Sequence, residues 1–579
     1  MNGPGDRASK NPSPCAPTLS YQAEGHDDAP TRASVGHRAQ PGSKSSARSQ
    51  QSLAREPGDL GDAPAFVVDA AQPRKGEEPN TVERVAEESD AGMVPKKSTK
   101  TRVTPVESAA RTSEARSTRE GRAAAKGKST ARNASPTQRG IGALTYLQRI
   151  GQRAKDKPKE KWTNLLNHIR VPLLAEAYQR LRRNAAVGVD EVSWAEYGER
   201  LDERLRDLED QIHRGSYHPQ PVRRVHIPKG DGGTRPLGVP ALEDKIVQQA
   251  ARMVLEPIYE AEFLGLSYGF RPKRSAHDAL DALAAAIARK VSWVLDADIR
   301  SFFDTIDHGW MQRFLEHRIG DTRMVRLLMK WLHAGVMEDG RLHEAKQGTP
   351  QGGIVSPLLA NIYLHNVLDL WAVSWRKKHA RGEMYLVRYA DDYAMAFQHE
   401  EDARAMLSAV AERLAMFGLE LHPDKTRVIR FGRFARAQHQ ERGLGKPETF
   451  DFLGFTHIAG VSRRGTFQLR RRTSRKKRNA KLASLAEQIR ERRHHRVADQ
   501  HAWLSSVLVG HYRYYGVPTN YDALEQFRHR VRWMWHRSLQ RRSQRARWSR
   551  PMLEAYERRF PLPLPRIHHP WPDERFAAR

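Results

Sequence analysis

From Ile141 onward apolar residues return at helical spacing, as at Leu174, Tyr178 and Leu181, and the pattern halts at Asn184 and Gly188. A helix followed by a turn is predicted there. Beyond it, Val225-His226-Ile227-Pro228 and Leu237-Gly238-Val239-Pro240 flank Lys229-Gly230-Asp231-Gly232-Gly233, which reads as two short strands around a glycine-rich turn. Helical periodicity resumes over Leu242 to Tyr259 and over Ala276 to Arg289. Val291 to Ile299 alternates as a strand, and Met384 to Phe397 divides into two strands joined by a tight polar turn at Asp391. Strands mixed with helices predict an α+β body. Past about Arg470 the strand signals fade, and helices rich in Arg and Trp run to the end.

The first 138 residues stand apart. Only Tyr21 and Phe66 are aromatic before Tyr146, and Ser, Arg, Ala, Gly and Pro fill the stretch. Such a segment cannot bury enough apolar surface to offset chain entropy, so residues 1–138 are expected to form a disordered basic extension. Its functional reading is a basic RNA-tethering tail; the reading favoured over it is a solvated extension or an over-called start codon. That leaves residues 139–469 as the mixed body and 470–579 as the helical region.

Charge narrows the partners. The 579 residues hold 98 Lys and Arg against 68 Asp and Glu, a formal net charge of +30, which points to a polyanion and first to nucleic acid. A single cysteine, Cys15, leaves no internal disulfide and no multi-cysteine zinc site, in keeping with a reducing cytoplasm. No apolar run approaches the roughly 18 residues of a membrane helix. Met1 to Lys10 has no apolar core of a secretory signal.

The candidate chemistry is a set of carboxylates. The strand Val291 to Ile299 carries Asp298, the sequence continues as Ile299-Arg300-Ser301-Phe302-Phe303-Asp304, and the hairpin carries Tyr389-Ala390-Asp391-Asp392. Nucleotidyl transfer must stabilise an attacking 3′ oxygen and a leaving pyrophosphate, which two Mg²⁺ ions do when carboxylates bridge them. Three Asp on two adjacent strands suit that clamp, since magnesium prefers oxygen ligands. Asp-Asp in a turn is by itself ordinary turn chemistry. A calcium loop beginning at Asp296 and Asp298 fails, because it would want an oxygen ligand at Arg300 and glycine at Ser301.

Taken with Ile227-Pro228-Lys229, Arg235-Pro236-Leu237-Gly238, Tyr268-Gly269-Phe270-Arg271-Pro272, Gly348-Thr349-Pro350-Gln351-Gly352-Gly353 and Phe452-Leu453-Gly454-Phe455, these segments resemble the ordered motifs of reverse transcriptases. Ala360-Asn361-Ile362-Tyr363-Leu364 and Gly510-His511-Tyr512-Arg513-Tyr514-Tyr515-Gly516 make the resemblance one to bacterial group II intron reverse transcriptase/maturases, over residues 140–579. It implies a right-hand polymerase with fingers and palm, followed by an α-helical thumb/maturase domain. It implies two Mg²⁺ ions on Asp298, Asp391 and Asp392, with Ile299 among the metal ligands. Lys229 and Arg235 would hold the triphosphate, a point charge and a planar fork matched to phosphate oxygens. Phe303 would lie under the sugar, Gln351 and Gly352 beside the nucleotide, and Lys425 would resemble the lysine proposed to protonate pyrophosphate. Phe302 and Phe303 read equally as core residues. Gly454 fits the family's primer-grip hairpin and equally a β-bulge.

The C-terminal region adds an RNA surface. Arg470, Arg471, Arg472, Arg475, Lys476, Lys477, Arg478 and Lys481 come with no acid among them, and Arg528 to Arg550, including Arg541 and Arg542, carries nine Arg with Trp533, Trp535 and Trp548. Cations meet phosphates and flat rings meet splayed bases, although the Trp spacing equally suits one core face of a helix. His568 and His569 read as structural, and without cysteines beyond Cys15 the resemblance is to the endonuclease-less branch. The implied partners are group II intron RNA, a DNA target and primer, and deoxynucleoside triphosphates, in a bacterial cytoplasm or at the nucleoid. A maturase that only aids splicing and a reverse transcriptase exapted for defence are the rival readings; the intact Asp298, Asp391 and Asp392 weigh against the first, the Tyr512 to Gly516 segment and the basic helices against the second.

Overall fold

A computed structural model describes residues 136–228, 233–338, 340–344, 347–349, 351–543 and 549–575. The expected extension up to residue 135, with Lys229, Pro350 and Trp548, lies outside the described residues.

The α+β expectation holds. β1 (Val222–Pro228) pairs antiparallel with β2 (Thr234–Val239), and β3 spans Trp293–Asp298. The short β4 (Val336–Glu338) and β5 (Arg341–His343) follow, then the hairpin of β6 (Met384–Tyr389) and β7 (Asp392–Phe397), then β8 (Arg427–Arg430). Last come β9 (Thr449–Phe452), β10 (Phe455–Val461) and β11 (Phe467–Thr473). They form three sheets, with orders β2-β1-β4-β5, β6-β7-β3-β8 and β11-β10-β9.

The sheet β6-β7-β3-β8 carries the carboxylates. Nearly every residue of β6 and β7 is buried, so both faces of the hairpin are covered, and its sequence runs apolar rather than alternating. Helix Ala276–Ile287 packs on β6 and β7, and helix Glu400–Ala415 packs on β3 and β7. The former starts at a capping box in which Ser275 and Asp278 satisfy each other's backbone N–H. Helix Leu242–Glu260, buried almost all round, packs against helices Pro136–Asp156 and Val171–Arg180.

A long helical segment crosses the core as Ser356–Leu364, a π turn at His365–Asp369, and Leu370–His379. Residues eight apart are offset by about 80° on a regular α-helix. The wider turn removes part of that offset, which lets Asn361 and Asp369 meet one partner.

The C-terminal helices Arg475–Glu491, Val497–Tyr515 and Tyr521–Gln540 enclose a core of Leu485, Leu504, Leu508, Leu524, Phe527 and Trp535. One expectation is corrected here. Strand structure does not fade at Arg470: β11 runs to Thr473, so Arg470, Arg471 and Arg472 lie on a strand paired with β10, and the helix begins at Arg475. A run of cations reads as a solvated helix face, yet the antiparallel pairing and one buried acidic partner, described below, make it a strand.

Candidate active site

Antiparallel pairing of β3 with β7 sets Asp298 directly opposite Asp392. Directly opposed residues have Cβ atoms about 4.5–5.5 Å apart, and like charges there repel. Burial, and then the charges of Asp391, Asp298 and Asp296, push the Asp392 carboxyl up to about 7. Burial also raises Asp391, with Asp298 adding to the shift and Arg235 opposing it. Asp296, two residues before Asp298, is raised to about 6, chiefly by burial and against the pull of Arg427.

Lys425 meets this cluster. Segment 420–422 runs beside the end of β3, with Ile299 bridged to Leu421 and the His422 N–H donating to the Asp298 carbonyl at 2.8 Å. The Lys425 ammonium then reaches the Asp298 carboxylate at 2.6 Å. Ile299 is buried, so only its backbone could face a ligand. Among the described residues no three acidic, His or Cys side chains close around a single point. The donor set nonetheless fits a divalent cation: hard carboxylate oxygens set close together are what such an ion neutralises.

The turn between β6 and β7 is held from behind. It has two residues, Ala390 and Asp391, and Ala390 takes φ 59°, a left-handed conformation that costs a non-glycine residue about 1–2 kcal/mol. Arg388, fully buried, donates to the Ala390 carbonyl at 2.9 Å, to Asn361 Oδ1 at 3.0 Å and to the Asp369 carboxylate at 2.5 and 2.7 Å. Asn361 in turn donates to the Gly269 carbonyl at 2.8 Å. A Cβ on Gly269 would collide with the Ala390 nitrogen, so the Tyr268-Gly269-Phe270 segment needs glycine there to lie against the turn.

Of the expected nucleotide contacts, Gln351 and Gly352 lie beside the chain that carries Phe303, and Lys229 falls outside the described residues. Segment 348–353 is stitched to the chain after β3, with Gly348 N–H donating to Ile306 and Thr349 N–H to Phe303, both at 2.7 Å. Gly348 has φ 84°, and a Cβ would sit 2.9 Å from the Phe303 and Asp304 carbonyls. The Gln351 carbonyl accepts from Gly238 of β2 at 2.6 Å, and a Cβ on Gly352 would collide with the Gly238 carbonyl. The close approach that requires glycine at 352 is therefore to β2, not in the first place to a nucleotide. Phe302 is buried against Tyr363, whereas Phe303 is half-buried, so Phe302 is a core residue and Phe303 is not fully enclosed by the core.

The helical region meets the site at the β9–β10 hairpin. Leu453 and Gly454, both at positive φ (48° and 81°), join β9 to β10. The Tyr514 hydroxyl donates to the Leu453 carbonyl at 2.8 Å, and a Cβ on Gly454 would stand 3.0 Å from the Tyr515 hydroxyl. The Leu453 backbone in turn favours the ionised form of Asp392. Gly454 is thus a turn residue packed under the Gly510–Gly516 segment rather than a bulge.

The basic residues separate. Arg475, Lys476, Lys477 and Lys481 are exposed on one helix, Arg541 is exposed after another, Arg472 is half-exposed, and Arg478 is partly covered. Arg470 donates to the Val461 carbonyl at 2.6 Å, and Arg542 to the His495 carbonyl at 2.8 Å. Arg471 is buried, with its guanidinium on Asp281 at 2.7 Å. It therefore ties β11 to helix Ala276–Ile287 and is not presented to RNA, a correction to its place in the expected RNA surface.

Residues 227–457 match the reverse transcriptase (RNA-dependent DNA polymerase) family. Protein YkfC of Escherichia coli K12 is 36% identical over 277 residues, covering 42% of this chain and 71% of YkfC. The group II intron-encoded protein LtrA of Lactococcus lactis is 32% identical over 305 residues, covering 50% of this chain and 51% of LtrA. The chain belongs to the group II intron reverse transcriptase/maturase family. The putative COX1/OXI3 intron 2 protein of Saccharomyces cerevisiae is 40% identical over 261 residues, covering 44% of this chain and 27% of that protein. The chain thus spans about half the length of LtrA. Its catalytic domain is that of an RNA-directed DNA polymerase. Among the described residues, no helix of this reverse transcriptase is long and apolar enough to cross a membrane.

Sequence reasoning weighed Asp296 only as the start of a calcium loop and passed over Arg388 and Asp369. A lone Arg in the otherwise apolar Met384–Tyr389 is a readable signal of a buried ion pair, but its partner, nineteen positions upstream in a π turn, is not.

Proposed function

We propose that this chain copies the RNA of a group II intron into DNA for retrohoming and binds that RNA to assist its splicing. The observation that carries the reading is the register of Asp298 against Asp392, with Asp391 in the adjoining two-residue turn. Asp298, Asp391 and Asp392, with the Ile299 backbone, would hold two Mg²⁺ ions. When bound, such ions stabilise the attacking 3′ oxygen of a primer and the leaving pyrophosphate.

The chain's own residues supply the rest. Arg235 and Lys229 would grip the triphosphate of a deoxynucleotide. The segment from Gly348 to Gly353 carries Gln351 and Gly352 along the side of the nucleotide and buttresses Phe303 through backbone hydrogen bonds. Phe303 would lie under the sugar. Lys425 holds its ammonium at Asp298 and would pass a proton to the pyrophosphate as the strand end reorganises around substrate. The hairpin at Leu453 and Gly454, clamped by Tyr514 and Tyr515, would place the primer terminus. The exposed cations of helix Arg475–Glu491, together with Arg541, would hold intron RNA through its phosphates. The work is that of a bacterial cytoplasm, and of the nucleoid when the target is DNA.

Two reactions test the reading together: extension of a DNA primer on an RNA template, and splicing of the parent intron RNA at low magnesium. Stimulation of both by the purified chain is expected. Splicing without extension would leave a maturase only, and extension without splicing would leave a polymerase with no maturase role.

A further inference from the structure

We propose that the groove between helices Arg475–Glu491 and Tyr521–Gln540 is a base-stacking site for an unpaired nucleotide of RNA, an inference that rests on the RNA-binding reading above. The groove has a volume of about 1000 Å³, at the upper end for small-ligand sites. Ala483 and Ala486 make its floor shallow and apolar, Trp533 stands at one wall, and Arg478 and Arg530 lie on its rim with a single acid, Glu525.

Trp533 is the telling residue. Trp535, two positions later, is buried in the helical core and donates its indole N–H to Gln500 at 2.9 Å. Trp533 is 50% exposed, so the core does not use it. The Arg537 guanidinium lies 5.1 Å from its ring centroid, which orients the indole and adds positive charge beside it. A half-exposed ring, an apolar floor and a cationic rim match the three parts of a nucleotide: a flat face to stack, an apolar edge to cover and a phosphate to pair.

Charge chooses between possible occupants. Helix Arg475–Glu491 opens with Arg475, Lys476, Lys477 and Arg478, and its first acid is Glu487. That surface favours a polyanion over a protein of mixed charge. A paired base keeps both faces stacked inside its own helix and cannot reach the groove floor, whereas a base in a loop or bulge can.

The test compares two RNAs bound by the full chain at one salt concentration: a hairpin with an unpaired loop, and the same stem closed into a complete duplex. Trp533→Ala should weaken the hairpin about tenfold and the duplex less than twofold. Ala486→Phe, which fills the floor and keeps the indole, should do the same, and Trp533→Phe should restore most of the loss. The salt dependence should not change, because no cation is removed. Equal losses on both RNAs, or no loss on the hairpin with either Trp533→Ala or Ala486→Phe, would overturn the base-stacking site. Failure of the parent chain to bind either RNA would instead overturn the RNA-binding reading beneath it.

Discussion

Arg388 and Asp369 form a fully buried ion pair, and the same guanidinium donates to the Ala390 carbonyl in the turn that carries Asp391. The pair joins the helix crossing the core to the catalytic hairpin. Removing one member of a buried pair leaves an uncompensated charge, at a cost of about 3–5 kcal/mol. Arg388→Ala is therefore expected to destabilise the fold by that order.

Arg388→Lys separates stability from positioning. A lysine keeps the charge but not the planar fork, so it cannot serve Asp369, Asn361 and Ala390 together. Deoxynucleotide incorporation should fall at least tenfold in kcat, while the affinity for template and primer stays within twofold. Unchanged kcat in a folded Arg388→Lys variant would remove the network from the positioning of Asp391.

In the proposed function Phe303 selects the sugar. A ribose 2′-hydroxyl pressed on its ring would lose hydration without a partner, at about 1–3 kcal/mol. Phe303→Val should raise ribonucleotide incorporation tenfold or more, about 1.4 kcal/mol per factor of ten, with DNA synthesis retained. Phe302→Ala should instead cost about 3–5 kcal/mol of stability, as a cavity in the core does. Relaxed selection in a Phe302 variant alone would shift the gate by one residue.

Much of this was legible in the sequence, and the limits have physical causes. The strand before Asp298 and the hairpin around Asp391 follow from alternation and apolar runs, and their order gave the family. Whether Phe302 or Phe303 is core is decided by Tyr363, about sixty residues on, and no local pattern carries that contact. Arg471 looked like its neighbours Arg470 and Arg472, because period-two alternation was hidden in a run of identical cations. Its partner Asp281 lies 190 residues away. Trp533 and Trp535 likewise differ only through the bundle that buries one of them.

Acid should loosen the chain through two buried histidines. Burial, followed by the charge of Arg471, brings His457 down to about 3; burial, followed by Lys481, brings His511 down to about 4. Their unfolded value is about 6.5, so the unfolded chain binds more protons between these limits and stability falls as pH drops below about 6.5. At pH 5 each contributes a loss on the order of 2 kcal/mol. His457→Leu should flatten the fall in unfolding midpoint between pH 7 and pH 5. An unaltered fall would assign acid sensitivity to other groups.

Salt should report the exposed cations. Neutralising Arg475, Lys476 and Lys477 together should make the log-log salt dependence of RNA binding shallower by about two units, near 0.7–0.9 per lost phosphate contact. Arg471→Ala should leave that slope unchanged and lower the melting temperature, because its guanidinium faces Asp281. A slope altered by Arg471→Ala in a fully folded chain would return Arg471 to the RNA surface.

The most direct measurement is single-turnover incorporation of a deoxynucleotide on an RNA template by the parent chain and by Asp391→Ala, with RNA affinity measured in parallel. Loss of one metal-bridging carboxylate should remove several kcal/mol of transition-state stabilisation. The account predicts robust incorporation by the parent, at least a thousandfold loss in the variant, and RNA affinity unchanged within twofold. Equal incorporation by the two proteins would contradict it.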